Sequence, residues 1–194
     1  MNAQVLTTAL DMQPRRVAST SALTAVGNLG DLKTALQIGL DAGLTVNEIK
    51  EVLDRKAQGV LDVVGKDASP LSDTTDDYER GRKVLSQLSK RPQPKPAAGF
   101  GEFAPRIDNF LKVHLFAHIF GSDVLTYQQR ELVTISALAA MEGVEPQLQA
   151  HLSMGLNVGI SVPQLIEAFD VIEKDVSKTR ADAAKAILSK IKHK

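Results

Sequence analysis

Glu131 and His151 stand out chemically from their surroundings, because both sit in runs that otherwise read as apolar core. A carboxylate that holds an imidazole makes a general acid or base. The same two residues can equally be a polar pair on the edge of a helical hairpin. Arg130 places a cation beside the acid. A positive charge near the start of a helix opposes the dipole, which favours a carboxylate partner or ligand for it. His114 and His118 have the i, i+4 spacing that can set two imidazoles on one metal. No glutamate follows His114 and no third ligand is spaced for the pair, so a partly exposed polar strip is the plainer reading. No metal and no cofactor is expected.

Helices must position these groups. Strand signals are almost absent: aromatics are 4% of the chain, and apolar residues recur every three or four positions. The fold is therefore expected to be all-α. Thr126 with Gln129 has capping-box spacing, and Gly143 stops the helix that carries Arg130 and Glu131. Pro146 suits the first turn of a second helix, which carries His151 and ends at Gly159. Ser161 with Gln164 opens a third. Upstream, Pro105 to Phe120 reads as a helix closed by Gly121. Its apolar stripe of Ile107, Phe110, Leu111 and Phe120 is expected to pack on the hairpin. The tail from Ser177 to Ile191 reads as a last helix with Ala184, Ile187, Leu188 and Ile191 on one face.

The first part of the chain repeats this arrangement. The shift that carries Arg15 onto Arg130 also carries Leu10, Gln13, Ser21, Ala22, Leu23 and Ala25 onto Leu125, Gln128, Ser136, Ala137, Leu138 and Ala140. With one residue of slip at the hairpin, Leu32, Leu36, Gly39, Leu40, Gly43 and Val46 match Leu148, Leu152, Gly155, Leu156, Gly159 and Val162. Thr45 with Glu48 supplies the matching cap. Two unrelated amphipathic helices would share scattered leucines, not both stop glycines and the caps, so we read an internal duplication. The chain divides into a degenerate N-terminal repeat over 1–58, a connector over 59–104 and a C-terminal repeat over 105–194. The connector holds one amphipathic turn pattern at Val84, Leu85 and Leu88. Its acidic run from Asp73 to Glu79 reads as solvated, and Pro92, Pro94 and Pro96 stiffen the end of the connector into an extended form.

Bulk composition narrows the function classes. The 194 residues are 43% hydrophobic, ordinary for a globular chain with a sizeable core. Lys and Arg total 23, as do Asp and Glu, so no basic field draws nucleic acid or anionic lipid. The chain has no cysteine, which removes disulfides, thiolate metal sites and thiol redox chemistry. No run spans a bilayer and no basic leader opens the sequence, so the cytoplasm is the expected location, or the periplasm if a signal peptide has been removed.

The segments Arg130-Glu-Leu-Val-Thr-Ile-Ser-Ala-Leu-Ala-Ala140, Glu145-Pro-Gln-Leu-Gln-Ala-His151 and Gly155-Leu-Asn-Val-Gly159 resemble the carboxymuconolactone decarboxylase family, whose superfamily includes the alkylhydroperoxidase-D-like enzymes. The resemblance implies an all-helical fold with pockets between helices, often assembled as a homo-oligomer around a threefold axis. The peroxidase branch carries a glutamate, a Cys-x-x-Cys and a histidine. Glu131 and His151 match the outer members, but Val144 and Gln147 stand where the sulfurs belong, so peroxidase (peroxiredoxin-type) activity is disfavoured. The decarboxylase branch matches at Arg130 and His151. There a cation holds the carboxylate and a proton donor meets the developing dienolate. The family's Tyr-x-Gly-x-Pro element is missing from both repeats. Repeat one has Arg16 in place of Glu131 and Ala35 in place of His151, and Arg15 at the Arg130 position favours a structural role common to both repeats.

By count from the hairpin, Glu131 and His151 are offset by roughly 6 Å along antiparallel helices, at a rise of about 1.5 Å per residue. A direct hydrogen bond then needs both side chains to lean, and a bridging water or ligand does as well. Two readings stay open. One is a non-thiol acid/base enzyme on a small carboxylated or lactone substrate, with His151 as acid/base, Glu131 orienting it and Arg130 holding a carboxylate. The other is a non-catalytic oligomeric helical scaffold.

Overall fold

The computed structural model describes residues 9–47, 65–70 and 76–191, and among these residues every regular element is helical. Two helices come first, α1 (Met12–Ala25) and α2 (Leu29–Asp41). The connector contributes α3 (Asp77–Ser89) and a single turn, α4 (Phe100–Phe103). Then come α5 (Pro105–Phe110), a π-helix (Leu111–Ile119), α6 (Tyr127–Ala140), α7 (Glu145–Asn157), α8 (Val162–Asp175) and α9 (Lys178–Leu188).

The expected caps position the central helices. Thr126 and Gln129 form a reciprocal capping box at the start of α6, and Ser161 and Gln164 form another at α8. Pro146 lies in the first turn of α7. The turns after α6 and α7 need positive φ at Gly143 (74°) and Gly159 (97°), which glycine adopts without steric cost.

The core lies between α1 and the four C-terminal helices. Ala18 and Ala22 of α1 pack with Ile135, Ala139, Leu152, Leu165, Phe169 and Ile172, which are closed to solvent. Full burial of each large apolar side chain contributes about 1.5–3 kcal/mol. That scale lets this core carry one buried carboxylate. Leu23, Leu32, Leu36 and Leu44 form a smaller cluster between α1 and α2.

The bounds of α1 and α6 are related by the shift that relates Arg15 to Arg130, and those of α2 and α7 by the shift that relates Gly43 to Gly159. Gly43 (φ 94°) and Gly159 also meet equivalent amides: a Cβ would lie 3.0 Å from Gln13 Nε2 in one and 2.9 Å from Gln128 Nε2 in the other. These coincidences fall at the two shifts found in the sequence. Glu48, the expected partner of Thr45 in the cap, and the helix expected after it lie in 48–64, outside the described residues.

Two features differ from expectation. The connector forms a full 13-residue helix, α3, opened by Asp76, whose carboxylate accepts from the Glu79 N–H. Acids of the run expected to be solvated therefore cap a helix. Val84 and Leu88 bury against Phe116, Phe120 and Met154, which ties the connector to the C-terminal repeat. The expected stripe upstream of the hairpin is also split: Phe120 is buried, but Ile107 and Phe110 are 52% and 59% exposed. The cause is the π-helix. Phe120 N–H donates to the Leu115 carbonyl five residues back (2.8 Å), so the helix turns by more residues per repeat and presents Phe116 inward with Phe120 in place of Ile107 and Phe110.

Candidate functional site

Glu131 lies in the second turn of α6, the helix fixed by the Thr126–Gln129 box, and its side chain is fully buried. His151 lies midway along α7 with 13% of its side chain exposed. Its Nδ1 is 2.9 Å from Glu131 Oε2, so the antiparallel pair makes a direct hydrogen bond. Of the two arrangements that the sequence left open, direct contact and a bridge, the structure has direct contact.

Glycine makes this approach possible. A Cβ on Gly155, one turn beyond His151, would come within 2.8 Å of Ile135 Cδ1 and 3.8 Å of Glu131 Cβ. The missing side chain lets α7 lie close enough to α6 for the imidazole to reach the acid. In the sequence Gly155 marks the repeat and the family resemblance; its helical position opposite Glu131 is the signal for close packing.

Burial raises the Glu131 pKa above 4.5, and the hydrogen bond and charge of His151 pull it back in part. Its second oxygen, Oε1, is buried without a hydrogen-bond partner. Ser136, further along α6, is likewise buried with an unpaired hydroxyl, and no sequence motif singled it out. An ionised Glu131 accepts from Nδ1–H, which fixes the tautomer and leaves Nε2 as the ring nitrogen with no protein partner among the described residues. The arrangement can accept or deliver one proton at Nε2.

Arg130 is not brought into this pair. Its guanidinium donates through Nη2 to the Ser122 carbonyl (2.9 Å), and its Nε is buried without a partner. Desolvation lowers its pKa below the ordinary guanidinium value. Arg15, at the matched position, donates from Nε to the Leu10 carbonyl (3.3 Å) and from Nη2 to Glu167 (2.8 Å). At both positions the arginine fastens the chain that leads into its helix.

His114 and His118 stay apart from the candidate pair. His118 Nε2 is 2.7 Å from Asp77 on α3, and His114 stacks on Phe110 with ring centroids 5.1 Å apart. Among the described residues no group of three or more His, Asp or Glu side chains could hold a metal ion. No helix among them is long and apolar enough to cross a membrane.

Residues 105–190 match the model of the carboxymuconolactone decarboxylase family. A search of curated proteins finds no match.

Proposed function

We propose that this chain, which carries a carboxymuconolactone decarboxylase family domain at residues 105–190, uses His151 as a general acid/base on a small carboxylated or lactone substrate. The supporting observation is the 2.9 Å contact of His151 Nδ1 with the buried Glu131, which leaves Nε2 to meet a ligand. Glu131 is the positioning residue. In a decarboxylation the bond to the carboxylate breaks, its electron pair passes into the dienolate, and His151 Nε2–H returns a proton to carbon. In this proposal Arg130, next to Glu131 in the chain, holds a carboxylate through its remaining N–H groups. Its Nη2 is already committed to the Ser122 carbonyl.

The test is turnover of a panel of carboxylated unsaturated lactones, monitored by proton NMR with native protein and with His151→Gln. Loss of about 100-fold or more in the variant is expected for a general acid/base. Equal rates would remove His151 from the mechanism. Glu131→Gln should lower kcat more than it raises KM. Thiol peroxidase chemistry has no nucleophile here, since the sequence contains no cysteine.

A second reading, the non-catalytic oligomeric scaffold, is favoured by one observation. Phe100, Phe103, Ile107 and Phe110 are each more than half exposed and follow one another along α4 and α5. Sedimentation of the native chain and of Phe103→Asp tests it: a homo-oligomer that dissociates in the variant supports the scaffold, and a monomer in both discards it.

A further inference from the structure

A cleft of about 600 Å³ lies between the start of α1 and the end of α8, and none of Arg130, Glu131 or His151 lines it. Leu10, Met12 and Val171 give it an apolar wall, and three cations (Arg15, Arg16, Lys174) with three acids (Asp11, Asp170, Asp175) give it a charged one. The volume suits a small organic molecule.

The charges in and around the cleft are mostly engaged. Arg15 pairs with Glu167 (2.8 Å), Asp170 with Lys185 (2.7 Å), and Asp175 accepts from the Ser19 hydroxyl (2.6 Å). Asp11 is the exposed N-cap of α1, where the helix dipole balances a negative charge. Arg16 is different. The other half-buried arginines among the described residues each have a partner: Arg15 with Glu167, Arg80 with Asp77, Arg82 with Glu79, Arg130 with the Ser122 carbonyl and Arg180 with Glu145. Arg16 has none among the described residues, and its Nε is buried. A guanidinium partly removed from water with no acceptor carries a desolvation cost that a bound anion offsets. Lys174, exposed at the end of α8, adds a second cation with no ion pair among the described residues.

The geometry points to a second binding site, in which Arg16 anchors the carboxylate of a small monocarboxylic acid and Leu10, Met12 and Val171 cover its apolar body. The planar guanidinium fits a carboxylate through two parallel hydrogen bonds, which selects an acid over its neutral amide. The anchor comes from α1 and the facing wall from α8, and Arg16 stands where the matching helix α6 has Glu131.

The test is an NMR titration of the full chain with isovalerate, and with isovaleramide as the uncharged match. Saturable shifts with isovalerate are expected, with the amide weaker by about tenfold or more, the scale of a charge-assisted hydrogen bond. Arg16→Gln should weaken isovalerate to the level of the amide. Arg16→Lys should lie between, because it keeps the charge and loses the fork. Unchanged melting temperatures establish that both variants are folded. Equal binding of acid and amide, unchanged binding in Arg16→Gln, or no saturable binding of isovalerate each overturns the proposal.

Discussion

Gly155 and Ile135 face each other across α6 and α7 with no room for a methyl group: a Cβ on the glycine would lie 2.8 Å from Ile135 Cδ1. This contact sets the spacing of the two helices that carry His151 and Glu131. The candidate proton-transfer pair therefore depends on an apolar contact one helical turn away.

Substitution at Gly155 should consequently separate by side-chain size. Gly155→Ala crowds only the far ends of two flexible side chains, Ile135 Cδ1 at 2.8 Å and Ile160 Cδ1 at 3.3 Å, and alanine's helix preference of about 1 kcal/mol offsets that cost. Gly155→Val has no such compensation. It should lose about 1–3 kcal/mol, as overpacked cores do. Urea unfolding of both variants measures this, and a valine variant as stable as the native chain would contradict the close packing.

The parts of this site that were legible in the sequence are those written in local chemistry. Thr126, Gln129, Gly143, Pro146 and Gly159 act through their own backbone or that of near neighbours, so spacing alone located α6 and α7. The rough 6 Å offset of Glu131 and His151 came from helix rise, but whether the side chains would lean together depended on Gly155 packing against Ile135. The π-helix was not legible. Its wider turn is supported from outside: Gly81 on α3 brings its backbone so near that a Cβ would lie 1.7 Å from the Lys112 carbonyl oxygen. Sequence periodicity assumed ordinary helix there, which is why Ile107 and Phe110 were expected inside.

Burial of Glu131 has a consequence for pH. A carboxyl group whose pKa is raised in the folded state binds more protons there than in the unfolded chain. Its protonated form stabilises the fold fully below the ordinary value of 4.5, and that stability is lost as pH rises from there through the raised value. Glu131→Gln cannot ionise. Its stability relative to the native chain should therefore rise as pH is taken from 4.5 through that raised value. Denaturant melts at the two ends of this range are the measurement, and a difference independent of pH would contradict the raised pKa.

The two capping boxes make a separate prediction about additivity. Thr126 Oγ1 accepts from the Gln129 N–H (3.2 Å), and Ser161 Oγ accepts from the Gln164 N–H (3.4 Å). Thr126→Ala and Ser161→Ala should each cost about 0.5–2 kcal/mol. The boxes share no partner, so the double variant should equal the sum within roughly 0.5 kcal/mol. A large excess in thermal or urea unfolding would mean that α6 and α8 are coupled through their first turns.

The π-helix is held to the connector by a buried charge, which gives the sharpest stability test. Lys112 is 3% exposed; its Nζ donates to Asp108 Oδ1 (2.5 Å) and to the Tyr78 hydroxyl (3.2 Å), and lies 5.0 Å from the Tyr78 ring centroid. The Tyr78 hydroxyl in turn donates to Asp108 Oδ2 (2.9 Å). Removing the acid alone leaves an ammonium in the interior, so Asp108→Ala should cost about 3–5 kcal/mol. Lys112→Met removes the charge and keeps most of the volume. In that background, Asp108→Ala should cost far less, and the coupling between the two positions should exceed about 1 kcal/mol. Because α3 and the π-helix pack together with Met154 of α7, the single variant should also loosen the helix that carries His151. Hydrogen exchange at amides of α7 would register that loosening. Equal costs for Asp108→Ala in the two backgrounds would mean that the lysine is solvated rather than buried.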